Sequence, residues 1–155
     1  MKRLTSVRAI VLGLAVLTTS VGANSDERSV TAATTGLFAA GAELGPVALE
    51  GVQIGTGVFI EADGSASGTF HAVLQGSSLG GSPQEITVEG NVTGGSVEAD
   101  GRAIFRGSAS LNMGDGTPPL ANVAFSVTAG SGDLTLVLDS VQLTASLPSG
   151  AVTID

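Results

Sequence analysis

The chain has 155 residues, with six Lys and Arg against fourteen Asp and Glu, one histidine, and no cysteine, Trp or Tyr. That composition excludes disulfide staples and cysteine-based metal centres, and it removes the Trp and Tyr platforms on which sugar rings stack. The net charge of −8 makes nucleic acid and anionic membrane surfaces poor partners, because binding to a phosphate backbone needs Lys and Arg to displace counterions.

Lys2, Arg3 and Arg8 place positive charge ahead of the apolar run Ala9 to Leu17, and Val21-Gly22-Ala23 supplies small residues before a polar stretch. A basic region, a short apolar region and a small-residue cleavage site together predict a secretory signal peptide over residues 1–23, cut after Ala23. The apolar run is shorter than the ~20 residues that cross a bilayer, so no integral membrane segment is expected in the mature chain. A secreted or otherwise extracytoplasmic location follows. The remaining chain keeps Arg28, Arg102 and Arg106 against all fourteen carboxylates, a net charge of −11. Residues 24–45 begin polar and show no apolar period, which predicts a flexible leader with at most a short helix over Thr34 to Leu44. Residues 46–155 are expected to form a single all-β domain, stabilised by packing alone.

Within that domain the organising signal is period-2 alternation, the mark of strands with one buried and one wet face. Val52, Ile54, Thr56, Val58 and Ile60 share a face, as do Phe70, Ala72 and Leu74 in the next run. Ile86, Val88, Gly90 and Val92 oppose Glu85, Thr87, Glu89 and Asn91. Ala103, Phe105, Gly107, Ala109 and Leu111 alternate with Arg102, Ile104, Arg106, Ser108 and Ser110, and Val123, Phe125 and Val127 follow. Finally Leu134, Leu136 and Leu138 change phase near Ser140 to Val141, Leu143 and Ala145, which predicts a bulge or tight turn.

Breakers separate these runs: Ala62-Asp63-Gly64, Gly80-Gly81-Ser82-Pro83, Thr93-Gly94-Gly95, Ala99-Asp100-Gly101, Gly114 to Pro119 and Gly130-Ser131-Gly132. Asp-Gly between alternating residues is a strong hairpin signal, and short connections imply antiparallel neighbours. The tetrapeptide Glu-Ala-Asp-Gly occurs at residues 61–64 and again at 98–101, which is read as a recurring turn. The fold class is therefore a small antiparallel up-and-down barrel of about seven to nine strands, with a β-sandwich as the alternative. Phe70, Val88, Phe105, Phe125 and Leu136 are its expected interior residues.

No catalytic constellation emerges from the residue pattern. His71 sits on the polar face of its run with no partner identifiable from the sequence, and a serine triad would need that one histidine between an activated serine and a carboxylate. Gly76-Ser77-Ser78-Leu79-Gly80 lacks the following helix of a nucleophile elbow. Glu50, Glu61, Glu85, Glu89 and Glu98 are nominal members of a glycosidase carboxylate pair, but the alternation turns Glu61, Glu85 and Glu89 outward. No cofactor is expected. Calcium is the one metal with oxygen donors to consider, at Asn112 and Asp115, yet the spacing departs from a dedicated calcium loop and turn formation explains both residues.

Two functions fit these observations. One is an exported non-catalytic β-domain that acts through its surface on an envelope or extracellular partner. The other is a carrier whose barrel encloses a small apolar ligand, since few bulky rings besides the three central phenylalanines are present to fill the interior.

Overall fold

The structure, a computed structural model, describes residues 26–155; the expected signal peptide and its cleavage site lie outside the described residues. The elements in chain order are β1 (Arg28–Phe38), β2 (Glu43–Leu44), β3 (Val47–Ile60), β4 (Ser65–Ser77), β5 (Pro83–Val97), β6 (Ala103–Asn112), β7 (Leu120–Ala129), β8 (Asp133–Leu138), β9 (Val141–Ser146) and β10 (Val152–Ile154). Strands β3 to β9 pair antiparallel in chain order, and β1 pairs with both β3 and β9, so eight strands close an up-and-down barrel. The two short strands, β2 and β10, extend its ends beside β3 and β1.

The expected leader is corrected at this point: residues 28–38 are neither flexible nor helical but form the closing strand. β1 pairs with β3 from Arg28 opposite Ile60 to Leu37 opposite Gly51. Its inward residues Val30, Ala32, Thr34, Gly36 and Phe38 alternate with outward Thr31, Ala33, Thr35 and Leu37. Small and weakly polar residues on both faces leave almost no hydrophobic contrast, so its strand character comes from its partners rather than from its own pattern. On its other side β1 meets β9 at Leu37 and Phe38 and β10 at Val30 to Ala32. β9 and β10 run in the same direction and act as one strand interrupted by the turn at Pro148 to Ala151, where Ala151 N–H donates to Pro148 O at 3.1 Å.

The repeated tetrapeptide builds the same hairpin turn twice. Glu61 N–H donates to Ser65 O and Gly64 N–H to Glu61 O, and Glu98, Arg102 and Gly101 repeat both bonds. Gly64 and Gly101 take φ of 84° and 82°, the left-handed conformation that follows a type I turn in such loops. Asp63 and Asp100 brace the turns, each accepting the backbone N–H two residues on. Thr93-Gly94-Gly95, expected as a connection, is instead part of β5. The pairing with β6 shifts register between Val92 and Gly94, so the glycines bend a continuous strand with a bulge. The phase change near Ser140 is a tight β8–β9 hairpin that brings Leu138 opposite Val141.

The inward faces make one apolar core, and among the described residues no polar or charged side chain is buried. Phe70 stacks on Phe125 with ring centroids 5.6 Å apart and meets Phe105 at 6.0 Å. Val88 and Leu136 are buried with them. Room for the Phe125 ring is made by glycine: a Cβ on Gly90 would stand 2.5 Å from Phe125 Cε1, and one on Gly107 would stand 3.1 Å from the same atom. Most outward positions carry Thr, Ser, Gln, Asn or Glu, with Leu37 and Phe59 as exposed apolar exceptions on β1 and β3. Among the described residues no helix is long and apolar enough to cross a membrane.

This packing predicts a coupled pair of substitutions. Phe125→Ala is expected to destabilise the barrel by about 3–5 kcal/mol, and Gly90→Ala by about 1–3 kcal/mol through overpacking. In the double variant the second cost disappears, because the added methyl occupies vacated space. Urea unfolding of the four proteins of the cycle measures the coupling.

Candidate functional site

Outward residues of neighbouring strands form rows across the barrel wall. One row runs His71, Glu89, Ser110 across β4, β5 and β6; the next runs Thr69, Asn91, Ser108, Ala124 and reaches β7. Serine and alanine keep the middle of these rows low, while His71 and Glu89 stand along one side and Arg106 and Asp139 along the other. Two grooves result, of about 540 and 480 Å3, and Ser108 lines both.

Backbone irregularities set the edges of this surface. Ala109 pairs with Val123 but Leu111 pairs with Leu120, so β7 carries an extra residue opposite Ser110. Asn122 absorbs the distortion at φ 57° and, with Ala121, lines the larger groove. At the far edge Asp139, at φ 51°, donates its N–H to Ala124 O at 2.8 Å and accepts Ala124 N–H on Oδ1 at 3.2 Å. Its side chain thereby continues the ladder where the backbone turns away. Arg106 reaches into the smaller groove and makes no ion pair among the described residues, whereas Arg102 is held by Asp133 at 3.3 Å.

Register gives His71 a neighbour that the linear sequence conceals: its Nε2 lies 3.9 Å from Glu89 Oε1, both side chains facing solvent. Ser110 lies opposite Glu89 on the side away from His71. A triad needs the imidazole between hydroxyl and carboxylate, and this order places the carboxylate in the middle. What the rows offer is a polar surface of hydroxyls, amides, one imidazole, one guanidinium and two carboxylates, suited to holding a polar partner by many weak hydrogen bonds. Ser77 and Ser78 end β4 and enter its hairpin turn. Glu50, Glu61, Glu85, Glu89 and Glu98 are all exposed.

The calcium candidates are committed to their own loop. Asn112 Oδ1 accepts Gly114 N–H at 2.9 Å, and Asp115 Oδ1 accepts both Thr117 N–H at 2.9 Å and Thr117 Oγ1–H at 2.6 Å. Those two bonds from Thr117 hold the Asp115 carboxyl below its usual range, as two bonds from Ser65 do for Asp63. Among the described residues no group of three or more His, Cys, Asp or Glu is arranged to hold a metal ion. No protein-family model matches the chain, and neither a curated protein nor a solved structure matches it.

At the barrel end formed by the repeated turns, partial desolvation and then the Glu27 carboxylate beside it raise the Glu61 carboxyl above its ordinary range, with Asp63 adding to the effect. A raised folded-state value means that the native state holds this proton more tightly than the unfolded chain does. The contribution therefore favours folding at low pH and is lost as pH rises through the carboxylate range. Glu61→Gln is expected to raise Tm at pH 7 and to lose that advantage below about pH 4, as thermal melts across pH 3–8 will register.

Proposed function

We propose that this protein is an exported, non-catalytic β-domain that recognises an envelope or extracellular partner through the outer wall of its barrel. The observation that carries this reading is the apolar interior: Phe70 packs against both Phe105 and Phe125 at the centre, and among the described residues no polar or charged side chain is buried. A carrier of apolar ligands would need that central volume vacant, so the same rings weigh against it. The pattern of residues 1–23 supports export, and the grooves meeting at Ser108 are the surface best shaped for recognition.

Ser108→Trp would fill the junction of the two grooves without touching the core. Partner binding, measured on the exported protein against the envelope fraction of its own host, is expected to fall on the order of tenfold or more, equivalent to ~1.4 kcal/mol. Ser131→Trp in the β7–β8 turn serves as the matched control and is expected to bind as the native protein does. Native mass spectrometry of the same preparation is expected to show the bare chain. A stoichiometric apolar molecule retained through purification would overturn the surface reading in favour of the carrier.

A further inference from the structure

The two grooves join at Ser108 into one furrow that follows β6. Together they take in β6 from Arg106 to Ser110, with Glu89, Asn91 and Thr93 of β5 along one side and Asn122, Ala124 and Ser126 of β7 along the other. The floor is therefore a stretch of extended chain about 13 Å long, four steps of ~3.3 Å, from which Arg106, Ser108 and Ser110 point outward. Among the described residues no side-chain hydrogen bond is made by Asn91, Arg106, Ser108, Ser110 or Asn122. The furrow also carries opposite charges at its two ends. Glu89 lies opposite Ser110 at one end and Arg106 stands at the other, four residues along β6 and one strand across, or about 14 Å apart. His71 is the neighbour of Glu89 at 3.9 Å, beyond hydrogen-bond reach. Gly94, which pairs with Arg106 beside the bulge, leaves room for its side chain: a Cβ there would stand 3.4 Å from Nε and 3.6 Å from Nη2. The guanidinium thus lies toward β5, away from the Asp139 carboxylate that shares its groove and accepts the Ala124 N–H. Of the other arginines that follow residue 23, Arg102 is bound to Asp133 and Arg28 shares a crevice with Asp26 and Glu61.

We propose, resting on the reading of this wall as a recognition surface, that the furrow holds an extended peptide segment of the partner, with an Asp or Glu at one position and a Lys or Arg four positions away. Three features select that chemistry. An extended chain sets side chains i, i+2 and i+4 on one face over about 13 Å, the spacing of Arg106, Ser108 and Ser110 on the floor. A carboxylate accepts two parallel hydrogen bonds from a guanidinium, so the acidic residue seats on Arg106 and the basic one answers Glu89 at the other end. Between those ends the hydroxyls of Ser108 and Ser110 and the amides of Asn91 and Asn122 meet the N–H and C=O groups of the segment's backbone. A sugar chain is the poorer occupant. Phe70 and Phe125, the two rings beneath the grooves, are buried, so the furrow offers no aromatic face on which a sugar ring can stack.

Binding of the exported protein to the envelope fraction of its own host tests this when the chemistry of both sides is altered. Arg106→Gln is expected to weaken binding about tenfold, as loss of a charge-assisted hydrogen bond does, and Glu89→Gln about threefold, as loss of an exposed ion pair does. Arg106→Lys keeps the charge without the planar fork and recovers part of the loss. Arg102→Gln removes the same charge outside the furrow and is expected to bind as the native protein does. Amidating the carboxyls of the fraction with carbodiimide and glycinamide is expected to weaken native binding by the same factor as Arg106→Gln, and to leave the residual binding of that variant unchanged. Digesting the fraction with proteinase K is expected to abolish binding. Equal binding by the native and Arg106→Gln proteins, or native binding indifferent to amidation, overturns the proposal. Binding that survives the protease but is lost on amidation assigns the furrow to an acidic glycan and overturns the peptide. Ser108→Trp separates the two levels. If it binds as the native protein does, the surface reading itself fails; if it loses binding while Arg106→Gln does not, only the peptide assignment fails.

Discussion

A β-meander becomes a barrel only when its first strand also pairs with its last, and here β1 makes that closure. It meets β3 over ten residue pairs on one side, and on the other it is shared between the ends of β9 and β10. Closure hides the strand edges that would otherwise recruit other chains. The seam is uneven. Residues Ala33 to Gly36 have no ladder partner on the β9–β10 side, where the chain turns at Pro148 to Ala151. The long β1–β3 ladder therefore secures the first strand, while the interrupted partner lets the barrel close without forcing a straight strand across the whole wall.

Closure also decides what the interior can do. Eight strands enclose a space just wide enough for side chains to fill or for one small ligand to occupy. Phe70, Phe105 and Phe125 take the centre, and the glycines at positions 90 and 107 shape the wall around the Phe125 ring. With no polar group buried among them, the interior is devoted to stability. This matters in a chain that has no disulfide to compensate for a modest core. The outer wall is then left to divide its chemistry by strand: hydroxyls, amides and a few charges over β4 to β8, and mainly uncharged residues, Leu37 and Phe59 among them, over β9, β1 and β3.

Much of the fold was legible in the sequence because its strands alternate with strong contrast. Phe70, Val88, Phe105, Phe125 and Leu136 all lie in runs where apolar and polar residues trade places at every step, and each is buried. The runs that misled are those where contrast fails. In β1 alanine, threonine and glycine occupy both faces, so a strand that depends on its partners looked like a polar leader. At Thr93-Gly94-Gly95 two glycines suggested a turn, whereas they bend a strand whose pairing continues on either side. The candidate site was harder to see because it is a product of register. His71 lies eighteen positions from Glu89 and thirty-seven from Ser108 in the chain, and only the lateral pairing of β4, β5 and β6 brings them into adjoining rows. The outward alternation of each strand was visible; which residues would be neighbours across strands was not, because turn and bulge lengths set that offset.

The reading of the barrel as a filled scaffold that works from its outer surface is tested most directly by pressurising crystals of the protein with xenon, which enters dry apolar cavities in proteins. The filled centre predicts no xenon among Phe70, Phe105 and Phe125. A xenon atom bound between those rings would reveal a vacant interior, contradict the surface reading and make ligand carriage the better explanation of the fold.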